Sequence, residues 1–272
     1  MRVFDDQLLF EILCSNTETL KIKLKNYLRD IFMFPEVEDG FIYAEGEIPI
    51  LLVAHMDTVF SFPPGVLYYD DEKDILFNKK SGIGADDRSG IYAILEILKK
   101  YRPYVLFTDE EEIGGIGAEK AVFSIKRPNV KYIIEFDRKG SNDCVFYNCA
   151  NQKFQDYVES FGFVTNTGSF SDISILAPEW DIAAVNLSCG YYFPHSKNEY
   201  MVPSELRYNI ERVETMIEDY DKVEYFNYQS RFLNTFPYLD GDDEENFTRF
   251  LDIYFSNSVH QEKIKIIGQN EN

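Results

Sequence analysis

The sequence predicts an α/β fold, a three-layer sandwich in which helices cover both faces of one sheet. Three observations carry this. Strand-like apolar runs alternate with segments of helical period along residues 6–220, as they do when strands and helices share one layered core. The run at 50–54 is apolar without interruption, the pattern of a strand buried on both faces. The chain has 272 residues, of which 45% are hydrophobic and 27% charged, enough apolar material for a sizeable core. Its 23 Phe and 19 Tyr exclude a disordered chain.

The elements follow in order. Residues 6–31 read as helical, with Leu8, Leu9 and Ile12, then Leu20, Ile22, Leu24 and Leu28 at helical spacing. Asn16 and Thr17 are expected to divide this segment into two helices. Strands are expected at 41–44 and 50–54. Residues 61–82 read as loop, with Pro63, Pro64 and Gly65, an acidic turn at 70–74, and then Gly82 and Gly84. A helix over 89–101 carries Ile91, Ile94, Leu95 and Leu98 on one face. The pattern continues with a strand at 104–107, a helix at 117–123, strands at 132–136 and 145–147, a helix at 151–161 and a strand at 182–187. A last helix over 204–220 presents Leu206, Ile210, Val213 and Ile217. Residues 1–220 are therefore expected to form one domain. Residues 221–272 differ: they are rich in aromatics and hold an acidic turn at 240–245. This extension is expected to pack on the domain or at a subunit interface, so a homo-oligomer is possible.

Charge excludes some functions. Against 27 basic residues stand 47 acidic ones, a net charge of −20. Nucleic acid and anionic membrane both require clustered positive charge, so neither is an expected partner. No apolar stretch approaches the ~20 residues of a membrane helix. The opening MRVFDDQLLF is broken by Asp5 and Asp6 and is expected not to be a secretory signal. Cys14, Cys144, Cys149 and Cys189 form no CxxC pair. They are expected to be reduced, in a cytoplasmic protein.

The chemistry gathers where predicted strands run into loops, the usual place for sites in α/β enzymes. These junctions carry His55-Met56-Asp57, Gly84-Ala85-Asp86-Asp87, the acid run 109–112, Asp137, and Pro194-His195-Ser196. Two of the three histidines lie there. Two imidazoles and three carboxylates suffice to hold two divalent cations with one carboxylate shared between them. Zinc takes nitrogen and carboxylate oxygen, and a metal pair can share and activate one water. Asp57, two residues beyond His55, can face the same side of an extended segment and fix the imidazole. Adjacent Glu111 and Glu112 can point differently, so that one binds metal while the other takes a proton. The competing explanations are plain ones: a packing histidine, a helix cap at Asp86-Asp87, a solvated acidic loop. The loop reading is weakened because the acid run follows a buried strand and precedes a glycine-rich turn. Gly114, Gly115 and Gly117 lack the Lys-Ser/Thr of a phosphate loop. Ser171-Asp172, Tyr191-Tyr192, Arg138 and Lys139 can line a pocket, but structural roles are favoured for them, as for His260.

HMDTV at 55–59, GADDRSG at 84–90, TDEEEIGGIGA at 108–118, Asp137 and HSKNE at 195–199 occur in this order. Together they resemble the zinc exopeptidases with a co-catalytic metal pair. That superfamily includes bacterial leucyl aminopeptidase, glutamyl aminopeptidase, peptidase T and the acylamino-acid deacylases. The resemblance spans residues 5–220. It implies a central mixed, mostly parallel sheet flanked by helices. It further implies that His55 and Asp137 hold one metal, that Glu112 and His195 hold the other, and that Asp86 bridges. Glu111 is then the general base, Asp57 orients His55, the Asp86–Asp87 peptide is cis, and Glu110 has no role. The cofactors implied are two divalent ions, zinc first, with manganese and cobalt possible. No other cofactor is expected.

Only 57 residues separate Asp137 from His195 and 30 separate His55 from Asp86. That leaves no room for the inserted domains of the deacylase or glutamyl-aminopeptidase relatives and favours the compact aminopeptidases. HMDTV and GADDRSG, however, look more like the lid-bearing branch. The expected function is a metal-dependent aminopeptidase or dipeptidase acting on a small peptide. One alternative is a deacylase or carboxypeptidase-type amidohydrolase acting on N-acyl amino acids. Another is a non-catalytic metal-binding scaffold.

Overall fold

The computed structural model describes residues 6–231. Two helices open the chain, α1 (Gln7–Leu13) and α2 (Thr17–Asp30). Asn16 separates them by capping α2: its side-chain oxygen accepts from Thr19 N at 2.8 Å, which satisfies a donor that the first helical turn leaves free. Then come β1 (Glu36–Glu38), β2 (Phe41–Ala44), β3 (Ile48–His55), β4 (Tyr68–Asp70), β5 (Ile75–Phe77) and α3 (Ala85–Leu98). The middle of the chain forms β6 (Pro103–Thr108), α4 (Ile116–Ser124), β7 (Ile133–Arg138), β8 (Asp143–Val145), α5 (Gln152–Ser160), β9 (Val164–Thr165) and α6 (Ile173–Trp180). β10 (Ala184–Ser188), β11 (Tyr191–Tyr192), β12 (Tyr200–Met201) and α7 (Pro203–Glu218) complete it.

The main sheet has eight strands in the order β1-β2-β6-β3-β7-β10-β8-β9. Its centre, β6-β3-β7-β10, is parallel, and antiparallel pairs flank it on both sides. The α/β class and the mixed sheet are those expected. Strand periodicity divides the core into two layers. Along β3, Ile50, Leu52 and Ala54 join the larger core with α1, α2, α3, α5 and α7, whereas Leu51 and Val53 join the smaller one with α4 and α6. The same alternation on β7 sends Ile134 and Phe136 to the larger core and Ile133 to the smaller. Glu135 and Asp137 therefore share the α6-side face with Ile133.

Several boundaries differ from expectation, each for a physical reason. α3 starts four residues before the expected 89, but Asp86 and Asp87 have non-helical dihedrals and are joined by a cis peptide. The regular helix therefore begins beyond them. Pairing with β10 sets β8 at Asp143–Val145 rather than 145–147, with Val145 opposite Asn186 and Cys144 opposite Leu187. The chain then turns at Tyr147, φ 48°. The segment 61–82, expected as loop, contributes β4 and β5 to a second sheet of order β11-β12-β5-β4. These strands are two or three residues long and present too few positions to show a period of two. α6 was not anticipated, because ISILAPEW has Pro178 inside it, a residue that ordinarily argues against a helix.

Of the expected extension 221–272, residues 232–272 and their acidic turn lie outside the described residues, as does His260. Residues 221–231 run along the domain. Phe226 is buried, its N donates to Lys131 O at 2.9 Å, and its O accepts from Ala183 N at 2.8 Å. Among the described residues no helix is long and apolar enough to cross a membrane. All four cysteines are free thiols.

Candidate metal centre

The five expected ligands converge at the carboxyl end of the parallel strands. β3 ends on His55, paired in parallel register with Thr108 at the end of β6. The side chain is almost fully buried, and its Nε2 lies 3.3 Å from Asp86 Oδ1, 3.6 Å from Asp137 Oδ1 and 3.9 Å from Glu111 Oε2. On the other side, His195 Nε2 lies 3.1 Å from Asp86 Oδ2 and 2.9 Å from Glu112 Oε2. The two oxygens of Asp86 thus face different imidazoles. Glu110 turns away (φ 60°) and accepts from Lys120 Nζ at 3.4 Å.

The loop carrying Asp86 is held from outside. Glu199, buried to 1% exposure, accepts from Ile83 N and Gly84 N at 2.7 Å each and from Asp86 N at 3.2 Å. Gly90 permits α3 to approach: a side chain there would run into Phe136 O and the Asp87 carboxylate. Asp57 has two duties. Its Oδ1 lies 3.3 Å from His55 Nδ1. Its two oxygens also accept from Glu111 N at 3.1 Å and Glu112 N at 3.2 Å, so it ties the acidic loop to the imidazole. Lys21 of α2 pairs with Asp109 at 2.5 Å just before that loop.

These donors fit divalent cations. His55 Nε2 and Glu112 Oε1 are buried with no hydrogen-bond partner, although carboxylate oxygens crowd around the imidazole. Such an orphaned nitrogen among anionic oxygens is costly without a cation, and nitrogen with carboxylate oxygen is a zinc donor set. His55, Asp86 and Glu112 bring ligand atoms within 4.8 Å of one another, and so do His55, Asp87 and Asp137. Asp87 is nevertheless the poorer donor. Its Oδ2 accepts from His55 N at 3.3 Å and its Oδ1 from Gly90 N at 3.1 Å, so backbone amides occupy both oxygens.

The electrostatics are those of acids gathered out of water. Burial pushes Glu111 up to about 8 and Glu112 up to about 7. Burial and the Asp86 charge also raise Asp137. Asp86 is opposed by burial, but the two histidines outweigh it and hold the carboxyl well below its usual range. A hydrogen bond with Asp86 pushes His195 up to about 9. Burial favours a neutral His55, yet Asp137, Asp57 and Asp86 prevail and raise it. A divalent cation reverses this logic, since it favours ionised carboxylates and neutral imidazoles.

Further side chains support Asp137. Its N donates to Asn186 Oδ1 at 2.9 Å, Ser171 Oγ donates to its Oδ2 at 3.0 Å, and Tyr191 OH donates to its Oδ1 at 3.2 Å. Ser171 Oγ also lies within hydrogen-bond distance of the fully buried Glu135 carboxyl, and Thr108 donates to the fully buried Asp172. Arg138 reaches Asp143 at 3.4 Å, and Tyr192 donates to Glu205 at 2.7 Å. Sequence reasoning assigned no role to Glu199, Glu135 or Asn186. Glu135 left a trace, an acid inside the apolar run YIIEF, and Glu199 stands within HSKNE. Asn186 left none.

No family model and no curated protein matches the chain. Solved structures do. Aminopeptidase PepT from Bacillus cereus is 15% identical, with 79% of this chain and 97% of that one covered and a TM-score of 0.63. The TET1 peptidase of Pyrococcus horikoshii is 16% identical over 77% of this chain and 99% of that one, TM-score 0.57. A Zn-dependent exopeptidase from Parabacteroides distasonis is 14% identical over 76% and 94%, TM-score 0.52. The chain has the fold of the zinc-dependent exopeptidases.

Proposed function

We propose that the protein is a metal-dependent exopeptidase, an aminopeptidase or dipeptidase that hydrolyses the peptide bond of a small peptide. The observation that carries this is Asp86, whose two oxygens face His55 at 3.3 Å and His195 at 3.1 Å. One carboxylate between two imidazoles suits a bridging ligand. In this proposal His55 and Asp137 hold one cation, and Glu112 and His195 hold the other. Two divalent ions, zinc or in its place manganese or cobalt, supply Lewis-acid activation of water and of the scissile carbonyl when bound.

The remaining work falls to the chain's own groups. Glu111 takes the proton from the attacking water as its oxygen bonds to the carbonyl carbon, then delivers a proton to the departing amine nitrogen as the C–N bond breaks. Its position suits it to both steps: Glu111 Oε2 lies 3.9 Å from His55 Nε2, at the edge of the ligand cluster. Asp57 keeps His55 and the Glu111 backbone in register. The surrounding acids favour a substrate's α-ammonium over a carboxylate, which points to cleavage from the N-terminal end. Self-association belongs to the proposal as an expectation: the P. horikoshii peptidase assembles into a tetrahedron or a large octahedral shell.

The test is hydrolysis of aminoacyl-anilides and dipeptides against N-acyl amino acids, in the wild type and in Glu111→Gln. Cleavage of free-amino substrates, nearly abolished in the variant with metal retained, supports the proposal. Cleavage of N-blocked substrates alone indicates a deacylase. Bound metal with no hydrolysis of either class indicates a scaffold.

A further inference from the structure

We infer that the cavity beside the candidate metal centre is the subsite for the C-terminal end of a short peptide, with Lys79 and Lys80 recognising its free α-carboxylate. The inference rests on the hydrolytic function proposed above and adds the substrate's direction and end group.

The cavity measures about 650 Å³ and is walled by residues 59–66, Tyr68 and residues 78–81. That is the size of a small-molecule site. Phe60, Phe62, Pro64 and Val66 supply apolar surface, and Phe62 is 83% exposed, so it has room to pack on an incoming side chain. Among the described residues, Lys79 and Lys80 are the only charged groups in the lining. Lys79 Nζ sits 4.2 Å from the centre of the Tyr68 ring. Among the described residues neither lysine has a carboxylate partner, although the chain carries a net charge of −20.

The cavity is built, and one edge of its wall lies against the residue that follows His195. Asn78 Nδ2 donates to Val66 O at 2.6 Å, which fastens one wall to the other. Asn78 Oδ1 accepts from Lys80 N at 2.6 Å and Ser81 N at 3.1 Å, which fixes the backbone that carries the lysines. Gly82 is the junction: a side chain there would run into the Phe60 ring and Ser196 O. The cavity wall and the residue following His195 therefore meet at one point. Acids lie at the metal centre and cations at the cavity, so a zwitterionic peptide has one favourable direction, ammonium toward the acids and carboxylate toward the lysines.

The test compares leucyl-glycyl-phenylalanine with its C-terminal amide. Calorimetry on zinc-loaded Glu111→Gln protein reads binding without turnover, and kinetics on the wild type read hydrolysis. We expect the free acid to bind about tenfold more tightly than the amide, the scale of a charge-assisted pair, and the preference to shrink as salt is added. Lys79→Met with Lys80→Met should erase the preference by raising KM for the free acid with kcat unchanged. Lys79→Arg with Lys80→Arg should keep it. Equal binding of acid and amide, or a Met variant that keeps the preference, overturns the subsite. A lysine-dependent preference in binding with no hydrolysis by the wild type upholds the subsite and instead refutes the hydrolytic function.

Discussion

The two halves of the candidate centre are built differently. His55 closes a central strand, paired with neighbours on both sides, and is 1% exposed among acids. His195 sits on the connection between β11 and β12 at φ 58°, and its side chain is 53% exposed. The sheet fixes one half, while a loop on the small sheet brings the other. The proposed hydrolysis needs both kinds of order. A rigid, dry ligand pair keeps donors at fixed distances, and an accessible pair admits substrate and exchanges water. Asp86 is the element common to both, and Glu199 holds it from beneath through three backbone amides.

Four expected outcomes put this contrast at risk. Glu111→Gln should lower kcat by about 10²–10⁴-fold, the usual contribution of a general base, with metal content by plasma emission unchanged; metal loss in step with activity would make Glu111 a ligand instead. His55→Ala in metal-stripped protein leaves buried carboxylates without their cation, and breaking such a set costs about 3–5 kcal/mol. His195→Ala removes an exposed partner and should cost under about 1 kcal/mol. Denaturant unfolding of the two variants reads the difference, and equal losses would erase the distinction between the halves. Asp57→Asn should weaken metal binding by about 10–100-fold, as for other groups that orient a liganding imidazole; competition with a chelator measures it.

The smallest effect concerns pH. His195 is pushed up to about 9 in the folded, metal-free protein, against about 6.5 unfolded. A raised histidine stabilises the fold below pH 6.5, and this contribution fades as pH rises toward 9. Cations require the unprotonated ring, so their affinity climbs over the same interval. Thermal melts from pH 6.5 to 9 should therefore show the gap between zinc-loaded and stripped protein widening. A gap that narrows would place the imidazoles outside the cation-binding set.

Much of this arrangement was legible in the sequence because its signals are local. His55 follows an apolar run long enough to read as a buried strand, and Asp137 follows another. Asp86, Glu111, Glu112 and His195 stand in short motifs whose order survives without any alignment. The small sheet was not legible, because strands of two or three residues carry no period. Glu135 and Asn186 face each other across paired strands β7 and β10, a contact that neither strand announces alone. Asp57 shows the intermediate case. Spacing placed it beside His55, but its grip on the Glu111 and Glu112 amides depends on a contact 54 residues away in the chain.

Crystals soaked in zinc, with diffraction recorded on both sides of its absorption edge, address the proposed centre most directly. Two anomalous peaks about 3.5–4 Å apart are expected, one between His55 and Asp137, the other between Glu112 and His195, with an oxygen of Asp86 on each. A single peak, or a pair that does not share Asp86, would contradict the bridged arrangement from which the proposed chemistry follows.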